Sequence, residues 1–499
     1  MTKIYTLFIS VFLFVYSVYG NKTYIVNLKS GSVVTTDMLD KSLDYFQIGD
    51  YSGLIINDEK LANEFSKLDI VENVEIDLEV NIDSPPEIDI IYNRFTSVPK
   101  NQYQWGLDRI DQKDLPLNKK YKPPTFGKGT YVYVCDTGVR ISHNEFGGRV
   151  ENGYSHYGST PSDGHGHGTH VMSTVLGKTV GVAKDAKGVA VKVLTNSGSG
   201  TISGVIKGIE WSVNDVISKK RCGVISMSLG GGFSNSLNAA VNAAVNAGIN
   251  IVVSAGNGNS DACKKSPASA SKAITVGSTT SSDSRSYFSN IGECVDILAP
   301  GSSILGASNV NDKMFKILSG TSMACPHVSG ALAILFNGNS CKYKTASQDI
   351  RNLGVTNTIN NVPSNTPNIF LQIQNIRSPT KIPTHKPTKV PTLVPTKSCY
   401  KECKSQSNND KCINHERCNC NWKDGRRKRK CRLTLTSKPT KEPTRQPTTI
   451  SPSKAPTFNC VADCKMNNNN MCKCRYNKQL GGKCDCKWKK NNKCIVNLI

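Results

Sequence analysis

The chain has 499 residues, with 62 Lys+Arg, 38 Asp+Glu and 19 Cys, and a formal net charge of +24. That length exceeds what one compact core holds, and a composition of 38% hydrophobic and 20% charged residues excludes a wholly disordered chain. The charge by itself would favour a polyanionic partner, but it is unevenly spread. Residues 21–100 carry 7 Lys/Arg against 15 Asp/Glu, residues 101–377 carry 26 against 16, and residues 378–499 carry 28 against 7. The excess belongs mostly to the C-terminal part, so no nucleic-acid partner is expected.

Lys3 precedes the apolar run Ile4 to Tyr19, which small Gly20 ends. This predicts a signal peptide over 1–20 and a secreted, extracellular product in an oxidising compartment. The run is shorter than the roughly 18–20 residues a span needs, so no transmembrane anchor is expected after its removal. The only N-x-Ser/Thr sequon is Asn21-Lys22-Thr23.

Residues 21–95 read as a small acidic α+β unit. Tyr24 to Leu28 predicts a strand. Leu61, Phe65 and Leu68 fall at helical spacing after the capping pair Asn57-Asp58, and Val74, Ile76, Leu78 and Val80 alternate with acids as one half-buried strand. No catalytic constellation is found there. Residues 96–377 alternate apolar strands with helical patterns. Tyr131 to Val134 is a buried strand, Ser234 to Ala247 a helix stopped by Gly248, and Ile249 to Ser254 the next strand, which together predict a parallel sheet with crossover helices.

Beyond Arg377 the composition changes. Proline recurs every four residues from Pro379 to Pro395, and every four or five from Pro439 to Pro456, marking linkers at 378–398 and 433–459. Each precedes a cysteine-rich unit, at 399–432 and 460–499, and both units contain Cys-x-Cys-x-Trp, ending at Trp422 and Trp488. They read as an internal repeat of disulfide-stapled modules, the second with seven cysteines. Cys418, Cys420 and His415 have zinc-like spacing, which export disfavours. Arg426 to Lys430 with the tryptophans beside lysines would suit an anionic or carbohydrate surface.

Three segments carry chemistry. Asp136-Thr137-Gly138 puts a carboxylate at the C-terminal end of a buried strand. Asp163-Gly164-His165-Gly166-His167-Gly168-Thr169-His170 leads into an apolar helix, and so does Gly320-Thr321-Ser322-Met323-Ala324-Cys325-Pro326-His327. Singly, Asp136 could cap a turn, the histidines could form a metal cluster, and Ser322 could be an N-cap. Together, in the order Asp, His, Ser, they are far more specific.

Here the sequence resembles the subtilisin-like serine peptidases, in their proteinase K branch. Ser226-Met227-Ser228-Leu229-Gly230-Gly231 and Ser254-Ala255-Gly256-Asn257 extend the resemblance. It implies a parallel, helix-flanked α/β sheet (subtilisin-like), a catalytic triad of Asp136, His167 and Ser322, and an oxyanion hole from Asn257 and the Ser322 N–H. It makes Gly198, Ser199, Gly200, Ser228, Leu229 and Gly230 substrate-binding, with room at Gly230 for apolar or aromatic side chains. Protein and peptide substrates are the partners it implies. Residues 21–95 resemble an inhibitor-type propeptide, with the processing bond between Glu87 and Trp105. No cofactor is implied for catalysis. A structural calcium is implied at Asp296 with carbonyls near Ser271 and Ala273, and a disulfide between Cys263 and Cys294. Cys222 and Cys341 have no partner assignable from sequence. Cys135 and Cys325 depart from the family pattern, leaving open a contact between them and sensitivity to thiol reagents. The competing reading is an inactive adhesion protein on the same scaffold, against which the intact Asp136, His167, Asn257 and Ser322 argue.

Overall fold

The computed structural model describes residues 22–82, 104–337, 341, 345–374 and 376, and short strands between 420 and 498. The signal peptide and the sequon asparagine lie outside these residues, as does most of the expected processing region, of the two linkers and of each cysteine-rich unit.

The N-terminal unit is built from β1 (Tyr24–Leu28), α1 (Thr36–Lys41), β2 (Asp44–Ile48), β3 (Tyr51–Ile56), α2 (Glu59–Phe65) and β4 (Val71–Ile76). Its four strands pair antiparallel in the order β2-β3-β1-β4. Asp58 caps α2 by accepting from Leu61 N at 3.0 Å, as the sequence predicts, and Leu68 falls beyond the helix end. One face of this sheet buries Val26, Leu28 and Leu54 under the unit's own helices. The other face presents Ile25, Phe46, Ile48 and Ile55 to the larger domain.

The expected single strand from Val74 to Val80 is two strands in two sheets. β4 stops at Ile76, and β5 (Glu79–Asn81) joins a different sheet. Between them Asp77 accepts from Ser203 N and Leu78 O accepts from Ile202 N (3.0 Å), which turns the chain onto the larger domain. Alternating residues satisfy one strand or two equally well, so the pattern could not reveal the break.

The larger domain opens with α3 (Trp105–Ile110), β6 (Thr130–Asp136), β7 (Val150–Ser155), α4 (His167–Leu176), β8 (Lys187–Lys192), β9 (Ser199–Thr201) and α5 (Ile202–Ser218). It continues with β10 (Cys222–Met227), β11 (Gly230–Gly232), α6 (Asn235–Asn246), β12 (Asn250–Ser254), β13 (Lys265–Ser266), β14 (Ile274–Thr279) and β15 (Ile297–Pro300). The hairpin β16 (Ile304–Ala307) and β17 (Phe315–Leu318), α7 (Thr321–Phe336), α8 (Ala346–Leu353), β18 (Val355–Thr356) and β19 (Ile369–Phe370) complete it. Nine strands form one mostly parallel sheet in the order β18-β19-β15-β14-β12-β10-β6-β8-β7, and only the β18–β19 pair is antiparallel. Strands such as β10 and β12 are buried along their whole length, as a sheet covered on both faces requires. The predicted α6 begins after its Ser234 N-cap, and Gly248 follows with a left-handed φ of 95°.

Alternate residues of β6 divide between two cores. Val132 and Val134 pack with α4 and α7, and Tyr133 and Cys135 pack with α5 and α6. Cys325 lies in the first of these cores and Cys135 in the second, so the sheet separates the two thiols, and both are free. Disulfides join Cys263 to Cys294, the pairing implied by resemblance, and Cys222 to Cys341. In the C-terminal region, described on its own, Cys420–Lys423 pairs with Lys430–Leu433, and Cys484–Lys489 with Lys493–Leu498. The two repeats share a register, with Trp422 opposite Cys431 and Trp488 opposite Cys494.

Candidate active site

Asp136 ends β6 and is fully buried. His167 opens α4, and its Nδ1 lies 2.8 Å from Asp136 Oδ1 and 3.0 Å from Oδ2. Asp136 Oδ1 also accepts from Thr137 N at 2.7 Å, so the carboxylate is held from two sides. Gly168 follows the histidine because no side chain fits there: a Cβ would run into the Gly138 carbonyl and stand 3.1 Å from Asp136 Oδ1.

A residue missed in the sequence fixes this arrangement. Asp163 Oδ1 accepts from Gly166 N (2.6 Å), His165 N (3.0 Å) and Thr137 Oγ1 (2.9 Å), and its Oδ2 accepts from Thr169 N (2.9 Å) and Thr169 Oγ1. One carboxylate thus ties the turn after β6 to the first turn of α4, where free N–H groups favour negative charge. The signal was present as an aspartate four residues before the helix start, followed by two glycines.

The histidines do not form a metal cluster. His167 turns to Asp136 and His170 Nε2 to Ile304 O (3.0 Å), and among the described residues no group of three His, Cys, Asp or Glu could hold a metal ion. Burial pushes the His165 and His170 imidazoles below their ordinary value, with the neighbouring Lys316 and His167 adding to it.

Ser322 is the second residue of α7, whose N-cap Gly320 has a φ of 156°. Its hydroxyl donates to Ser228 O (3.4 Å), and Ser228 Oγ donates to Ser322 O (2.9 Å). Met227 pairs with Cys135 across β10 and β6, so Ser228 and Asp136 follow at the same end of neighbouring strands. Asn257, after β12, accepts from Thr321 N (2.8 Å) and Thr321 Oγ1 (2.9 Å) through Oδ1. That orients its amide: a Cβ on Gly320 would stand 3.4 Å from Asn257 Nδ2 and 3.5 Å from Ser322 N, so both donors border one small volume.

The substrate-binding candidates divide. Ser199, Gly200 and Gly230 lie in the four-stranded sheet β13-β11-β5-β9, where β5 of the N-terminal unit runs antiparallel to both β9 and β11. Asn81 faces Ser199 and Gly230, Val80 faces Gly200 and Gly231, and Gly198 O accepts from Ile82 N at 2.9 Å. Ser228 contacts Ser322, and Leu229 is buried in the core rather than along the cleft.

The calcium donor set does not fit the ion. Asp296 Oδ2 accepts from Thr275 N (2.9 Å), and Oδ1 pairs with Arg351 Nη1 (2.9 Å). Both oxygens are engaged, one by a guanidinium, and a hard divalent ion wants six to eight oxygens without a competing cation. Burial nevertheless pushes this carboxyl up, against the Thr275 bond and the arginine. Burial pushes the Cys135 thiol up to about 12 and that of Cys325 to about 11, which disfavours the thiolate that thiol reagents attack.

Comparison with known proteins gives a consistent set of similarities. The sequence model described as "Subtilase family" matches residues 127–375. An alkaline serine exoprotease A of Vibrio alginolyticus is 48% identical over 238 residues, 47% of this chain and 44% of that protein. An extracellular serine proteinase of Thermus sp. (strain Rt41A) is 45% identical over 274 residues, 54% of this chain and 65% of that one. An alkaline proteinase of Hapsidospora chrysogena is 45% identical over 269 residues, 54% and 67% of the two chains. A crystal structure of a cold-adapted subtilisin-like serine proteinase shares 44% identity with a TM-score of 0.52, covering 54% of this chain and 98% of that one. The match spans under half of the Vibrio protein and just under two thirds of the Thermus protein.

Proposed function

The chain belongs to the subtilase family, with its proteinase K-like branch, and from that membership we propose that it is a secreted serine endopeptidase made as an inhibited zymogen. The observation that carries the reading is the buried Asp136–His167 pair at the same end of the sheet as Ser322 and Asn257. Ser322 Oγ attacks the scissile carbonyl, its proton passing to His167 Nε2 and then to the leaving amine. Asp136 holds Nδ1–H and favours the imidazolium that forms. The oxyanion is met by Ser322 N and Asn257 Nδ2, and water then hydrolyses the ester.

Substrate enters as an added strand between β9 and β11, and backbone pairing of that kind reads few side chains, which supports broad specificity over protein and peptide substrates, with an apolar or aromatic preference at the pocket by Gly230. Residues 22–82 act as an inhibitor because β5 already fills that slot. The basic tail serves to hold the enzyme on an anionic or carbohydrate surface. No described helix is long and apolar enough to cross a membrane.

The test is Ser322→Ala. Turnover on denatured protein should fall on the order of 10⁶, the usual loss when such a nucleophile is removed. Hydrolysis at the wild-type rate by the purified variant would refute the assignment.

A further inference from the structure

The mechanism above makes no use of a buried lysine beside the site. Lys192 ends β8, in register with Asp136 at the end of β6, and is only 4% exposed. An ammonium in such a place is costly unless its donors are taken up. Its Nζ donates to Thr137 O (2.5 Å) and to Asn196 Oδ1 (3.0 Å). Burial pushes the ammonium below its ordinary value, while Asp163 and Asp136 favour its charge.

The two acceptors belong to different parts of the site. Thr137 N donates to Asp136 Oδ1 at 2.7 Å, and the Thr137 hydroxyl donates to Asp163 Oδ1 and accepts from Gly168 N. Holding the Thr137 carbonyl therefore holds the turn that aims the Asp136 carboxylate at His167. Asn196 lies in the turn between β8 and β9, where Thr195 N donates to Ser199 O (2.7 Å) and Gly198 N to Thr195 O (3.2 Å). That turn leads into Ser199 and Gly200 of β9, the wall along which substrate is proposed to pair. The Asn196 amide also packs on Gly164, where a Cβ would run into its Cγ and Nδ2, so the same side chain touches the loop that delivers His167.

We propose that Lys192 is a positioning residue that couples the triad to the substrate wall, setting Asp136 through Thr137 and the edge of β9 through Asn196. The inference rests on the endopeptidase reading above, and Lys192 touches neither substrate nor the reacting atoms. Its charge matters because charge-assisted hydrogen bonds are roughly twice as strong as neutral ones, so a single Nζ holds two segments far apart in the chain. An apolar side chain of similar length leaves both acceptors without their donor, and each segment relaxes on its own. Loss on the Thr137 side misplaces the partner of the base and is read in kcat. Loss on the Asn196 side loosens the strand edge and is read in KM, only for substrates long enough to pair with β9.

The experiment compares the unmodified protein with Lys192→Met and Asn196→Ala, each expressed as the full chain and allowed to mature. Rates are taken per molecule labelled to completion at Ser322 by a fluorophosphonate, which removes any difference in folded fraction. A chromogenic tetrapeptide spans β9, and a single-residue ester does not reach it. Lys192→Met should lower kcat on both substrates, by on the order of 10²-fold on the tetrapeptide. It should also raise KM by about fivefold, on the tetrapeptide alone. Asn196→Ala should raise that KM by a similar factor, lower kcat far less than Lys192→Met does, and add no further rise in KM when the two are combined. Wild-type kcat and KM in Lys192→Met overturn the inference. So does an equal KM shift on both substrates, or a KM effect of Asn196→Ala that adds in full to that of Lys192→Met. Each of these leaves the endopeptidase reading standing. If Lys192→Met yields no labelled protein, Asn196→Ala decides: a KM raised on the tetrapeptide alone supports the coupling, and an unchanged one overturns it. An unmodified protein that is not labelled at Ser322 and hydrolyses neither substrate overturns both readings.

Discussion

Asp77 of the N-terminal unit accepts hydrogen bonds from both the backbone N–H and the hydroxyl of Ser203, at 2.8 and 2.5 Å, in the first turn of α5. Glu75 does the same on α6, accepting from Ser234 Oγ at 2.7 Å and from Asn235 N at 2.8 Å and Ser236 N at 3.2 Å. Two carboxylates two residues apart thus dock on two helix N-termini, where the helix dipoles favour negative charge.

If the N-terminal unit is the inhibitor proposed above, these contacts set the strength of inhibition. Hydrogen bonds to a charged group contribute about 1.5–3 kcal/mol each. Asp77→Asn or Glu75→Gln should therefore weaken inhibition of the processed enzyme by the N-terminal segment by roughly tenfold or more, read from the inhibition constant. Raising salt should weaken it further, because Lys207 also pairs across the same interface with Asp44 at 3.3 Å.

Asn257 should matter to rate rather than to binding. Its Oδ1 accepts from Thr321, which orients Nδ2 as the donor in the proposed oxyanion hole. Asn257→Asp keeps the acceptor and removes the donor. It should lower kcat by about 10²–10³-fold with little change in KM, measured on a chromogenic peptide.

Acid should destabilise the fold through its histidines. Burial pushes His327 down to about 4 from 6.5, opposed only by its bond to Met323 O at 2.8 Å. A lowered folded pKa means the unfolded chain takes up the proton first. The contribution is whole above pH 6.5 and is lost as pH falls toward 4, a swing of about 3 kcal/mol. His143, His156, His165 and His170 are pushed in the same direction. Denaturant midpoints between pH 7 and 4.5, taken in a Ser322→Ala background to prevent self-digestion, should fall steeply. The slope should be shallower in the same protein carrying His327→Asn.

Chelation should leave the Asp296 region unmoved. With Arg351 on one oxygen and Thr275 N on the other, the melting midpoint should be the same with and without a chelator. Arg351→Ala should cost about 1 kcal/mol or less, since the pair is partly exposed. A midpoint that drops on chelation in the unmodified chain would restore the metal reading.

What was legible in the sequence was whatever is local. Asp136, His167 and Ser322 each sit in a short motif at a strand or helix end, and the elements around them begin and stop at residues such as Ser234 and Gly248, whose backbone chemistry is readable one position at a time. Relationships between distant residues were not. Arg351 reaches Asp296 across 55 positions and Cys222 reaches Cys341 across 119, and no spacing rule connects either pair. Asp163 was overlooked because its partners, Thr137 and Thr169, lie on opposite sides of it in the chain. Cys135 and Cys325 flank the candidate catalytic residues in sequence, yet side chains alternate across a strand, and the sheet lies between them.

On the proposed zymogen reading, the caps supplied by Glu75 and Asp77 divide the life of the chain into two energetic regimes. While it folds, the N-termini of α5 and α6 are completed from within the same polypeptide, and the helices bordering the cleft form with their donors satisfied. If that unit is removed as the proposed zymogen requires, water takes its place at both ends, and the remaining enzyme no longer contains everything that helped to assemble it. Its persistence would then be a question of how slowly it unfolds rather than how readily it returns, and its durability would be judged by half-life under stress rather than by any reversible midpoint.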